Sequence, residues 1–127
     1  MKNVIFLMLT ILFLVSGLAF AAQKEKIAVA ANGQTPEASV SAQAGRAPFF
    51  LFFDENGKLT EAIANPAKDL QSSGIAVADF LAGKGVTVLV AEGYGPQIVQ
   101  VMKGKGIRTV SFKGSVGEAV KKVLQSK

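Results

Sequence analysis

Residues 86–112 read VTVLVAEGYGPQIVQVMKGKGIRTVSF, and the fold class turns on them. Val86 to Ala91 is nearly all apolar and rich in β-branched residues, the composition of a strand covered on both faces. Gly93-Tyr94-Gly95 forms a tight loop. Pro96 can occupy a first helical position, where its missing N–H removes no hydrogen bond. Ile98, Val101 and Met102 then share one face up to Gly104. Arg108 to Phe112 returns as a second strand. Strand, helix and strand in this order form a β-α-β unit, expected to lay two parallel strands side by side through a right-handed crossover.

Working outward, Ser115-Val116-Gly117-Glu118 is a capping box that opens a helix. Val116, Ala119, Val120, Val123 and Leu124 fall at i, i+3, i+4, i+7 and i+8 on its face. Lys121, Lys122 and Lys127 lie near its negative end. Upstream, Asp69 to Ala82 reads as a helix with Leu70, Gly74, Val77 and Leu81 on one face, stopped by Gly83-Lys84-Gly85. Phe49 to Phe53 and Leu59 to Ala64 are strands joined through Glu55-Asn56-Gly57-Lys58, and Asn-Gly is the strongest short hairpin signal. Leu59, Glu61 and Ile63 share one face, with Thr60, Ala62 and Ala64 on the other, and Asn65-Pro66 ends the run. Lys26 to Ala31 is the opening strand, followed by the turn-formers NGQTPE. The expected architecture is α/β, in the order β-β-β-α-β-α-β-α. It is a five-stranded mixed sheet with the first strand central, the hairpin strands to one side, the last two strands to the other, and helices on both faces. No internal repeat or low-complexity tract interrupts it.

The chain has 127 residues, a length that suggests one domain. Its start reads differently from the rest. Lys2 supplies a positive charge, Val4 to Val15 is apolar except for Thr10, Ser16 and Gly17 break the run, and Ala19-Phe20-Ala21 is an A-x-A site. This predicts a secretory signal peptide over residues 1–21, cleaved after Ala21, then a tail at 22–25 and a domain at 26–127. The product would be periplasmic or secreted, touching a membrane only through the signal segment before cleavage. The alternative is an uncleaved anchor, since Val4 to Ala22 approaches the roughly 20 residues that span a bilayer. Lipoprotein acylation needs a cysteine, and the chain has none.

Fourteen basic and nine acidic residues give a net charge of +5. Without Lys2 the balance is 13 to 9, or +4. The basic residues are scattered and do not alternate with aromatics, so the signature of nucleic-acid binding is missing. The charge reads as solubility with mild attraction to anions.

The absence of His and Cys removes Ser-His and Cys-His catalysis. Serines stand at 39, 41, 72, 73, 111, 115 and 126, none within G-x-S-x-G. Asp54, Glu55, Asp69, Asp79 and Glu92 show no spacing that converges on a metal. Met102, at helix spacing beside Ile98, reads as core. Gly83 to Thr87 lacks P-loop spacing and precedes a strand rather than a helix. Gly93 to Pro96 follows a buried strand and opens a helix, the place where open α/β sheets bind ligands and helix N-termini attract anions. It lacks the third glycine of a dinucleotide fingerprint, and it also fits a plain strand-to-helix turn. Glu92 and Tyr94 flank it and would face the same mouth. Ser72-Ser73-Gly74 offers hydroxyls and N–H groups, or simply caps its helix.

Several of these pieces in order carry a resemblance. They are the opening strand through Asn32, S-x-x-x-G-R-A-P-x-F at Ser41 to Phe50, Asn65-Pro66, Gly74 to Ala78, and G-x-G-P at Gly93 to Pro96. Residues 26 to 124 resemble the dinitrogenase iron–molybdenum cofactor biosynthesis domain, the family of NifX and NifY-like accessory proteins and of the C-terminal part of NifB. The resemblance implies a ribonuclease H-like motif fold. It also implies a non-enzymatic role, carrying or storing iron–sulfur or iron–molybdenum type clusters. The family often reads S-x-H-F-G-R-A, with a His able to ligate a cluster, where this chain has Gln43 and Ala44. With no His and no Cys, the usual protein ligands of such a cluster are absent.

The function expected is that of an exported binding protein, not an enzyme, for a small anionic ligand or metal complex. The alternative is a protein–protein interaction module using the Phe49 to Phe53 strand, if one of its faces stays uncovered. The candidate ligand-binding residues are Asn32, then Ser41, Gln43, Gly45 and Arg46, then Ser73 and Gly74, and finally Glu92, Gly93, Tyr94 and Gly95. No catalytic or metal-ligating residue is assigned, and the cofactor and the protein partner stay unassigned. Arg46 is the key member, because its guanidinium offers a fixed charge and a bidentate fork to oxyanions.

Overall fold

The computed structural model describes residues 24–126. The signal-peptide reading of residues 1–21, its anchor alternative and Lys127 fall outside the described residues. Among the described residues, no helix is long and apolar enough to cross a membrane. The elements run β1 (Ile27–Ala31), β2 (Phe49–Phe53), β3 (Leu59–Ala64), α1 (Ser73–Gly83), β4 (Val88–Ala91), α2 (Ile98–Gly104), β5 (Arg108–Ser111) and α3 (Val116–Gln125). They form one five-stranded sheet in the order β3-β2-β1-β4-β5. β1 pairs antiparallel with β2 and parallel with β4, β2 with β3 antiparallel, and β4 with β5 parallel. This is the mixed sheet expected, with β1 at its centre.

The side-chain sizes on β1 explain how two layers of helix fit. All five of its residues are buried. Ala28 pairs with Phe52 and Ala30 with Phe50, so each large ring stands beside a methyl group. These rings meet Phe80 of α1 at centroid distances of 6.2 Å, the Phe52 pair edge-on. α1 and α2 add Val77, Ala78, Leu81, Ile98 and Met102 to this core. On the opposite face Ile27, Val29, Leu51, Phe53, Val88 and Val90 pack on the Val116, Ala119, Val120 and Val123 stripe of α3. Burying each such side chain stabilises the fold by about 1.5–3 kcal/mol. The phenylalanine strand is therefore covered on both faces, and the docking patch that an uncovered face would have offered is gone.

Local chemistry sets the turns. Asp54 Oδ1 accepts the N–H groups of Asn56 and Lys58 at 2.9 Å each. Gly57 has φ +82°, the left-handed conformation that favours glycine in such a hairpin. α3 begins as its box predicts: Ser115 Oγ accepts from the Glu118 N–H at 3.2 Å and donates to Glu118 Oε1 at 2.9 Å.

Two helix starts differ from expectation. α1 begins at Ser73 rather than Asp69, because Asn65 Oδ1 takes the Ala67 N–H and the Leu70 N–H bonds to Ala67 O. These bonds hold residues 66–72 in turns, and Leu70 is 52% exposed instead of core. α2 begins at Ile98, two residues after Pro96, because the Ile98 N–H is drawn to Gly95 O in a turn. β4 begins at Val88 rather than Val86. The Val86 N–H still bonds to Leu81 O and the Gly85 N–H to Ala82 O, a Schellman closure that keeps Val86 with the helix.

Candidate functional site

The site is built at the carboxyl ends of the parallel strands β1 and β4. The chain leaves β1 at Ala31 and returns beside it. The Ser41 N–H bonds to Ala30 O at 2.7 Å, Glu92 N–H to Ser41 O at 2.9 Å, and Ala44 N–H to Gly93 O at 3.1 Å. Residues 41–44 thus lie like a short extra strand over the end of β4, with Gln43 bridged in parallel to Gly93. A Cβ on Gly93 would fall 2.9 Å from Ala42 O, so this approach of two backbones requires glycine. Asn65, 8% exposed, holds the other side of the loop: its Nδ2 donates to Gly45 O at 3.2 Å and Ala47 O at 3.0 Å.

Between this loop, the start of α1 and the turn before α2 opens a cleft of about 800 Å³. Its polar wall comes from Gln43, Arg46, Gln71, Ser72, Ser73 and Gln97. Its apolar wall comes from Ile75, Tyr94, Pro96, Ile98 and Val101. Among the described residues, Arg46 is the one charged side chain on either wall, and no carboxylate lines it. Arg46 Nη1 donates to Lys68 O at 3.1 Å, which anchors one arm of the fork. α1 enters with no acidic residue in its first turn, and the N-cap Ser72 makes no side-chain capping bond. The capping role that Ser72 offered in the sequence is therefore not taken up. Ser73 is 8% exposed, and its hydroxyl bonds to no other described residue. These groups present donors and positive potential to the cleft, a setting suited to an anion.

Eight of the expected residues line this cleft: Gln43, Gly45, Arg46, Ser73, Gly74, Gly93, Tyr94 and Gly95. Three do not. Asn32 turns to Ser39, its Nδ2 donating to Ser39 Oγ at 2.8 Å. Ser41 is buried, with its Oγ 3.3 Å from Gln43 O. Glu92 is exposed and stands outside the lining. Tyr94 lines the cleft with its body only. Its hydroxyl lies 2.9 Å from Leu89 O and 2.6 Å from Val110 O, over the end of the sheet. Burial pushes its pKa up to about 12, so it stays neutral. Gln71, Ile75 and Gln97 are lining residues that sequence patterning missed. Gln71 and Gln97 each sit one or two residues before a helix, and nothing in their own periodicity marks them.

The donor set decides what kind of metal complex could fit. The chain has no His and no Cys, and among the described residues no three acidic side chains converge. A cluster ligated by protein side chains does not fit these residues.

The described residues thus form a small α/β domain whose carboxyl-end cleft presents one guanidinium and no acid. The sequence profile of the dinitrogenase iron–molybdenum cofactor family matches residues 25–126, and the chain belongs to that family. Among solved structures it is similar to the apo form of the orange protein from Desulfovibrio gigas. The two share 30% identity over 82% of this chain and 90% of that one, with a TM-score of 0.75. It is also similar to a candidate NifB protein from Thermotoga, at 28% identity over 80% and 88% of the two chains and a TM-score of 0.68. A candidate dinitrogenase from Methanocaldococcus jannaschii, 10% identical over 82% and 91% with a TM-score of 0.60, shares the fold. A search of curated proteins finds no match.

Proposed function

We propose that this chain is an exported, non-enzymatic binding protein. Its cleft at the Arg46 and Gly93–Pro96 end of the sheet takes a small anionic ligand or an anionic metal complex already saturated by its own ligands. The observation that carries this reading is the charge pattern of the cleft: Arg46 on one side, the uncapped start of α1 on the other, and no carboxylate between them. Membership in a cofactor family supports the metal-complex half, and the missing His and Cys restrict it to a complex held through outer contacts. Gln43, standing where the family often has His, would donate or accept hydrogen bonds rather than ligate. The cleft holds no base beside a nucleophile, which supports binding without turnover.

Calorimetric titration with molybdate, phosphate and an iron–molybdenum cluster mimic tests this. Binding by at least one of them is expected. Arg46→Ala should weaken it by roughly ten- to a hundredfold, the scale of a hydrogen bond to a charged group. Arg46→Lys should recover only part of the loss, because the ammonium keeps the charge without the fork. Neither heat nor a melting shift with any of the three would sink the proposal.

A second reading, an interaction module without a small ligand, is favoured by a different feature. Leu70, Ile75 and Val99 are 52%, 51% and 42% exposed, and each lies on or next in sequence to the cleft lining. Pull-down from a periplasmic extract that survives Arg46→Ala but is lost on Ile75→Ser would support it over the first.

A further inference from the structure

The two ends of the sheet differ in charge. The end opposite the cleft gathers the starts of β1, β4 and β5, the hairpin turn and the last turns of all three helices. Four of its acidic residues are each taken up by a basic one: Glu55 by Lys24, Glu61 by Lys84, Asp79 by Lys105 and Glu25 by Arg108. Lys26, Lys58, Lys103, Lys121 and Lys122 remain there without an ion-pair partner among the described residues, Lys26 with its Nζ donating to Lys84 O at 2.8 Å. Asp54 is the one further acid, and its Oδ1 accepts the backbone N–H groups of the hairpin turn. Five bases over one acid leave an excess of four. In the rest of the described domain, Arg46, Lys68 and Lys113 stand against Glu37, Asp69, Glu92 and Glu118, an excess of one acid. The net positive charge of the described domain therefore sits at one end.

That end is also where the chain enters. Lys24, the first described residue, pairs with Glu55 of the hairpin turn at 3.7 Å. Lys121 further edges a groove of about 340 Å³ walled by Phe53, Leu59, Val120 and Leu124, which adds apolar surface beside the charge. Unpaired lysines at an end that also carries an apolar groove are complementary to an anionic bilayer surface.

We propose that this end docks on an anionic phospholipid surface, leaving the cleft on the far end facing away from the membrane. The lysines supply attraction within a Debye length, and the sheet acts as the spacer that holds the cleft clear. The proposal does not depend on what the cleft binds.

The test uses the chain from Ala22 onward, because the described residues already hold the complete sheet and both core layers. It should sediment with phosphatidylglycerol-containing vesicles and not with pure phosphatidylcholine, and lose that binding at about 1 M salt. Each lysine near the surface is worth about fivefold in partitioning, so K58Q/K103Q/K121Q should weaken binding by about a hundredfold. K68Q/K113Q, at the cleft end, should leave it unchanged. A fluorophore on Asn56→Cys should be quenched by lipid-borne quencher and one on Lys113→Cys should not. Equal losses from the two lysine sets, quenching at the cleft end, or no binding to anionic vesicles would overturn the proposal. Tighter retention by duplex DNA than by vesicles would overturn it too, assigning the surface to nucleic acid.

Discussion

The two ends of this sheet are held by different kinds of bond. At the hairpin end the turns close on themselves, and the long-range ties come from Lys26 beside the strands, to Lys84 O and Thr87. Asp54 caps the N–H groups of Asn56 and Lys58, Gly57 supplies the positive φ, and the closure after α1 runs from Gly85 to Ala82 and from Val86 to Leu81. At the cleft end the loops close on each other. Glu92 bonds to Ser41, Ala44 to Gly93, and Asn65 to Gly45 and Ala47, each across at least eighteen residues of sequence. Short-range closure makes a compact end with no large cleft. Long-range closure leaves the loops standing apart as walls, with a cleft of about 800 Å³ between them. The cleft on this fold lies where loops meet distant partners.

The largest break in that contrast should come from Asn65→Ala. It removes two donors to loop carbonyls and the acceptor for the Ala67 N–H, leaving buried groups unpaired. The expected cost is about 3 kcal/mol. That corresponds to a melting temperature lower by roughly 10–20 °C, with ligand affinity lost at the same time. Retained affinity in the folded variant would show that the cleft loop is not held by this residue.

Gly57→Ala acts at the other end. Its φ of +82° and a Cβ position 2.8 Å from Leu124 Cδ1 predict a loss of about 1–2 kcal/mol. Chemical denaturation should show that loss while titration shows the cleft's affinity intact, because no long-range loop bond is touched.

The smallest effect is expected from Tyr94→Phe, about 1 kcal/mol at neutral pH for one hydrogen bond. Its signature is in alkali. Tyr94 is raised from 10.0 to about 12 in the folded state, so the unfolded chain releases this proton first. The Tyr94 contribution is fully present below pH 10 and is lost as pH rises from 10 to 12. The stabilities of wild type and Tyr94→Phe should therefore approach and then cross within that window, wild type becoming the less stable at its alkaline end. Parallel curves would place the hydroxyl in water rather than over the sheet end.

How much of this was legible depended on the range of the forces involved. Val86 to Ala91 announced a strand buried on both faces, and Asn56-Gly57 announced the hairpin, because both signals are local. Leu70 misled: its spacing matched Val77 and Leu81, yet the Asn65 side chain and the turn at Ala67 hold it outside the helix. Tyr94 misled in another way. Its place in the Gly93–Pro96 loop put it at the mouth, but a ring that long reaches back to Leu89 and Val110 and buries its hydroxyl. Gln71 and Gln97 carried no pattern at all, since a residue just ahead of a helix joins a wall only through where that helix points.

By itself the sequence determined the order of the strands and helices, the central place of β1, the covering of both sheet faces and the family to which the chain belongs. Apolar periodicity, turn residues and helix caps act over a few positions, and the size match between Ala28, Ala30 and the phenylalanines is carried by composition. Only the tertiary structure decided that Arg46, the start of α1 and the Gly93 turn share one cleft without a carboxylate, and that the unpaired lysines gather at the opposite end. Those are sums over residues far apart in the chain, and a charge or a donor has no effect on a site until the fold sets its distance from the others.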